Sequence, residues 1–146
     1  MKRTPILILV CALAQVAYGN YAFYSKVEST CEAYRFAVDR SAMEYRDDVF
    51  RIELESRSRN DFEMAMLVAF AAVGQAEIQQ RVISGMKSDF KPLLPKQVEV
   101  TVLVPVERVP TLVTATASGE LVEQLARGEI ETTVFMQKIK DTIETH

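Results

Sequence analysis

Side chains able to do acid–base or nucleophilic chemistry are few in this chain, and their spacing suits little of it. The one histidine is His146, the last residue. No Ser-His-Asp, Cys-His or two-histidine metal arrangement can be assembled from that position. A terminal imidazole beside the terminal carboxylate binds metal weakly at best, and a chain end frays, so neither a metal nor a cofactor is expected. The five glycines are isolated from one another and form no phosphate-binding loop. Cys31 has no second cysteine at CxxC spacing and no histidine base, and Glu32 beside it does not lower its pKa. Its expected role is packing; the alternative is an intermolecular disulfide.

Carboxylates are the remaining acid–base groups. Glu53 with Glu55, or Asp47 with Asp48, could serve as a glycosidase-like pair. Each has an arginine nearby that favours the ionised form and suppresses general-acid function. Glu63 and Glu77, at either side of an apolar run, are better placed to be partly buried and to have a raised pKa. Neither has an evident partner. The chain is therefore expected not to be an enzyme.

The elements that would position these residues follow from periodicity. From about residue 27 to 59 there is no Gly or Pro. Cys31, Val38, Tyr45 and Ile52 recur every seven residues, with Ala42 and Val49 four beyond two of them. All six would lie on one stripe of a single long helix. Six oppositely charged i,i+4 pairs (Arg35–Asp39, Arg40–Glu44, Asp47–Arg51, Arg51–Glu55, Glu53–Arg57, Glu55–Arg59) would decorate its other side, each contributing about 0.2–0.5 kcal/mol. This stripe is the candidate surface for self-association or a protein partner. A second helix restarts at Asn60, with Glu63 completing a capping box. It runs through Met64–Val73, apolar all round and too short to span a bilayer, which suits a central core helix. Gly85 is a plausible stop. Met64, Met66, Phe70 and Met86 could line an adaptable apolar groove.

Beyond Pro92 and Pro95 the pattern changes. Val98, Val100, Val102 and Val104 alternate with other residues over 97–104, which predicts a strand. Pro105 and Pro110 bracket a connection to a second strand over 111–117, giving a β-hairpin that must pack on helices or on another chain. Residues 120–127 and 130–143 return to helix, broken at Gly128. The expected fold is an α-rich α+β domain: a long helical hairpin, a β-hairpin and a C-terminal helix.

The first residues carry an address. Lys2 and Arg3 precede the apolar run Ile6–Tyr18, and small residues follow at signal-peptidase spacing. Ala17-Tyr18-Gly19 places the cut before Asn20; Ala12-Leu13-Ala14 is a second choice. A signal peptide over 1–19 and a single domain over 20–146 are expected. The alternative is an uncleaved anchor to about residue 25, with Tyr18, Tyr21 and Tyr24 at the membrane interface. Cleavage would remove Lys2 and Arg3 and move the formal net charge from −3 to −5. An acidic body argues against nucleic acid and anionic lipid. One remaining cysteine and no Asn-x-Ser/Thr sequon favour a bacterial envelope over an animal extracellular fluid. The function expected is non-enzymatic binding or assembly in that envelope. The runner-up is a periplasmic binder of small apolar ligands or unfolded chains, and an exported carboxylate enzyme ranks third.

Overall fold

The computed structural model describes residues 20–106 and 108–146. The expected leader lies outside the described residues. The fold is mixed α+β, with four helices and a five-stranded mixed sheet.

Helix α1 covers residues 20–33. Phe23, Val27 and Cys31, at i, i+4 and i+8, form its buried face. It ends without Gly or Pro. Arg35 takes a left-handed conformation (φ 65°), its N–H donating to the Glu32 carbonyl while the Phe36 N–H donates to that of Cys31. These two bonds make a Schellman termination, and buried Phe36 supplies its apolar contact.

The single helix expected over 27–59 is therefore not formed. After a 3-10 turn (Arg40–Ala42) the chain makes strands β1 (Met43–Arg46) and β2 (Val49–Glu55). They are antiparallel, with Arg46 opposite Val49. The two-residue turn between them places Asp47 and Asp48 at φ 54° and 63°, the type I′ geometry that matches strand twist. The physical reason is a competing period. Phe50, Ile52 and Leu54 alternate with Arg51, Glu53 and Glu55, and the apolar three are buried. Burying each gains roughly 1.5–3 kcal/mol, well above the tenths available from each helical charge pair. None of those six pairs is among the ion pairs of the described residues. Arg51 instead meets Glu99 across the sheet at 3.7 Å.

Helix α2 (Phe62–Met86) follows, one residue later than an Asn60 cap would give. It crosses over the sheet to β3 (Gln97–Val104), which pairs in parallel with β2. β3 and β4 (Thr111–Ser118) form the expected hairpin, in register from Gln97–Ser118 to Val104–Thr111. Two short helices, α3 (Gly119–Ala126) and α4 (Thr132–Ile139), are separated by Gly128 at φ 71°. Residues Glu144–Thr145 form β5 beside β4. The sheet order is β1-β2-β3-β4-β5.

All four helices share one face of this sheet. Met43, Phe50, Ile52, Leu54, Val98, Val100, Val102, Val113 and Ala115 point into a common core with Phe23, Phe70, Val122 and Phe135. Helix α2 is the central element, as its all-round apolar run suggests, and the Phe70 ring packs edge-on against Phe135 at 5.1 Å. Among the described residues, no helix is long and apolar enough to cross a membrane.

Candidate functional site

The two groups of interaction residues expected from the sequence are dispersed by this fold. Cys31 lies on α1 and is fully buried. Val38 is buried in the following loop, Ala42 ends the 3-10 turn, and Tyr45, Val49 and Ile52 lie on β1 and β2. Ile52 points into the core while Val49 is on the opposite side of the same strand. A seven-residue spacing marks one face only on a helix; on strands an odd spacing alternates faces. Burial, reinforced by the Glu32 charge, pushes the Cys31 thiol up to about 12, which suits packing rather than reaction.

The apolar groove fares similarly. Met66 and Phe70 are fully buried in the core, while Met64 and Met86 are half-exposed and exposed near opposite ends of α2. The 22 positions between them correspond to roughly 33 Å at 1.5 Å per residue. The structure does not bring the four together.

Among the acids, Asp47 and Asp48 form the β1–β2 turn, and Asp48 is tied to Lys96 at 3.5 Å and to the Tyr45 hydroxyl at 3.1 Å. Glu53 and Glu55 are exposed on β2, and Glu63 is exposed in the first turn of α2. Glu77 differs from all of these. It is only 2% exposed, and its Oε1 has no hydrogen-bond partner. Burial, then the charge of Glu123, push its carboxyl up to about 8 against the opposing pull of Arg81.

Glu123 on α3 has the opposite environment. Arg81 of α2 lies 2.9 Å from it and Arg127 lies 2.8 Å from it. Although burial works the other way, those two guanidiniums hold its carboxyl below the usual range. Two glycines make this seam tight. A Cβ on Gly74 would sit 2.4 Å from the Val122 carbonyl oxygen. One on Gly119 would sit 2.0 Å from that of Pro95 and 3.2 Å from Glu77 Oε1. Glu123 and Arg127 are an ordinary i,i+4 pair in sequence; the contact that sets them apart, with Arg81, joins residues 42 positions apart on two helices.

The helix-free side of the sheet is a further candidate surface. Strand register aligns Glu44, Arg51, Glu99 and Thr116 in one row and Glu53, Thr101, Thr114 and Glu144 in the next. Glu55 and Arg46 extend the same face. Five glutamates thus stand against two arginines. The Arg51–Glu99 pair and a Thr101–Thr114 hydroxyl bond of 3.1 Å tie the strands together. A depression of about 260 Å³ beside Arg51 and Glu99 opens on this side.

Backbone groups on the outer side of β1 and on the far side of β4 have local partners. At β1, the Met43 N–H donates to the Arg40 carbonyl and the Tyr45 N–H to the Tyr24 hydroxyl at 2.9 Å. At β4, the Leu112 N–H and carbonyl pair with His146, and the Thr142 hydroxyl bridges the Thr116 N–H and carbonyl. His146, expected as a frayed end, is held in this backbone pairing. Strand addition by another chain is blocked at these positions. Among the described residues, no cluster of three or more His, Cys, Asp or Glu side chains is arranged to hold a metal.

The chain matches no protein-family model, no curated protein and no solved structure.

Proposed function

We propose that this chain is a non-enzymatic binding or assembly protein exported to the bacterial cell envelope, and that its partner is a protein with a basic surface that docks on the helix-free face of the sheet. The observation that carries the reading is the asymmetry of the sheet. One side is buried under four helices, while the other side carries five glutamates and two arginines. Charge selects the partner. A like-charged face opposes stacking of two copies, whereas a basic surface gains steering and register from it. The address rests on Lys2, Arg3 and the apolar run that follows. A cut before Asn20 leaves the buried face of α1, from Phe23 onward, intact.

The test is a photo-crosslinking amino acid placed at Thr101 in cells that express the chain natively, with Val82, an exposed residue of α2, as the comparison position. The expected result is a discrete adduct at Thr101 that disappears in Glu53→Lys/Glu99→Lys and weakens with salt, with no such adduct at Val82. An adduct indifferent to charge reversal, or equal at both positions, overturns the proposed face. Fractionation with N-terminal sequencing tests the address: a chain beginning at Asn20 in the soluble envelope fraction is expected, and an intact Met1 in the cytosol refutes export.

A further inference from the structure

The partner-binding reading leaves Glu77 unused. A buried carboxylate oxygen without a partner calls for a physical explanation, because native structures rarely tolerate one. We propose that the docking of α3 on α2 is proton-dependent, with Glu77 as the group at the seam whose proton must be present for the two helices to close.

The geometry carries the argument. Glu77 lies where the start of α3 presses on α2. Its Oε1 is 3.2 Å from the position a Cβ on Gly119 would occupy, and Gly119 is itself fixed by its N–H donating to the Lys96 carbonyl. One turn earlier, Gly74 brings α3 equally close through Val122. A carboxyl held in so tight a seam can be neutral at modest cost, but its ionised form needs water or a cation.

The charged groups around it do not supply one. Arg81, on the same helix, is drawn to Glu123, donating from Nε to its Oε2 at 3.0 Å. Arg127 is also committed to Glu123. From the segment before β3, Pro95 presents a carbonyl oxygen, and the Lys96 ammonium turns outward to Asp48. Gln80, one turn along α2, accepts the Leu93 N–H at 2.9 Å. The two acids at the seam are thereby driven apart: Glu123 stays ionised between two arginines, and Glu77 keeps its proton into neutral pH. Loss of that proton leaves a bare charge facing Glu123. Moving α3 away to admit water relieves it, and this movement uncovers the apolar contacts of Val122 and Leu125.

Hydrogen exchange on the full chain between pH 6 and 9, corrected for the intrinsic rate, tests the proposal. Protection of the α3 amides is expected to fall at least ten-fold relative to the amides of Val68–Val73 in α2. In Glu77→Gln the ratio of α3 to α2 protection is expected to stay constant. A wild-type ratio that does not change with pH, or a Gln variant that keeps the full fall, overturns it. If the Gln variant fails to fold, carboxyl-carbon NMR of the wild-type chain decides. A Glu77 titration near neutral or above, accompanied by shifts in the α3 amides, supports the seam, and a titration in the ordinary carboxylate range refutes it.

Discussion

Alanine at Gly74 and alanine at Gly85 make the same chemical change in the same helix, and the structure assigns them opposite signs. Both glycines lie within α2, where glycine costs roughly 0.5–1 kcal/mol relative to alanine. At Gly85 an added methyl meets nothing within 4 Å, so Gly85→Ala should stabilise the chain by about that amount. At Gly74 the same methyl would lie 2.4 Å from the Val122 carbonyl oxygen and 2.6 Å from the Ala126 Cβ. The first obstacle is backbone, so α3 must retreat by about 1 Å to reach ordinary contact. Overpacking of this kind costs roughly 1–3 kcal/mol, and the Gln75 bond to the Ala126 carbonyl (3.1 Å) is strained in the process. The helix-propensity gain offsets only part of that, leaving a net loss of about 1–2 kcal/mol. Urea denaturation of the two variants measures both signs directly. If Gly74→Ala stabilised the chain as much as Gly85→Ala does, the close packing of α3 on α2 would be wrong.

Three further outcomes follow from features already described. Arg35→Gly should stabilise the chain by about 0.5–1 kcal/mol in the same assay, because glycine takes the left-handed position without steric cost; a loss would mean that α1 does not end there. Cys31 should resist a thiol reagent at pH 8 in the native chain and react fully in urea, since its thiol is buried and raised to about 12; rapid native labelling is the contrary result. Glu77 has a folded pKa above its unfolded one, so its contribution is fully present below about 4.5 and is lost as pH rises through about 8. At 1.36 kcal/mol per unit, the ceiling on that loss is about 5 kcal/mol, and the stability difference from a non-titrating variant should change with pH only inside that window. Glu77→Gln should lose less stability than the wild type between pH 5 and 8.5, and parallel curves would count against the assignment.

The second half of the chain was more legible than the first, for a physical reason. In 97–104 the valines alternate without interruption, and Pro105 and Pro110 fix the connection, so strand limits could be read to within a residue. In 43–55 a period-two pattern of similar quality lies in Phe50, Ile52 and Leu54, but it is short and shares residues with a seven-residue spacing. The breaks that separate α1, β1 and β2 carry no Gly or Pro. Arg35, Asp47 and Asp48 adopt left-handed geometry instead, supported by backbone bonds that only the folded chain provides. The buried character of Glu77 could be suspected from its position beside an apolar run. Its environment could not, because Glu123 and Gly119 reach it from elsewhere in the chain.

The place of β3 in the sheet has a consequence in time. β3 is the strand that joins the two hairpins, pairing in parallel with β2 on one side and antiparallel with β4 on the other, yet it is not complete until Val104. Until then a growing chain holds only the β1–β2 hairpin, and a lone two-stranded hairpin is marginal in water. Closing β2 on β3 also requires a loop that includes all of α2, a long-range contact of the kind that slows folding. Roughly the first two-thirds of synthesis therefore passes with no stable tertiary structure. Under the export proposed above, the chain would stay threadable through that interval because its central strand comes late.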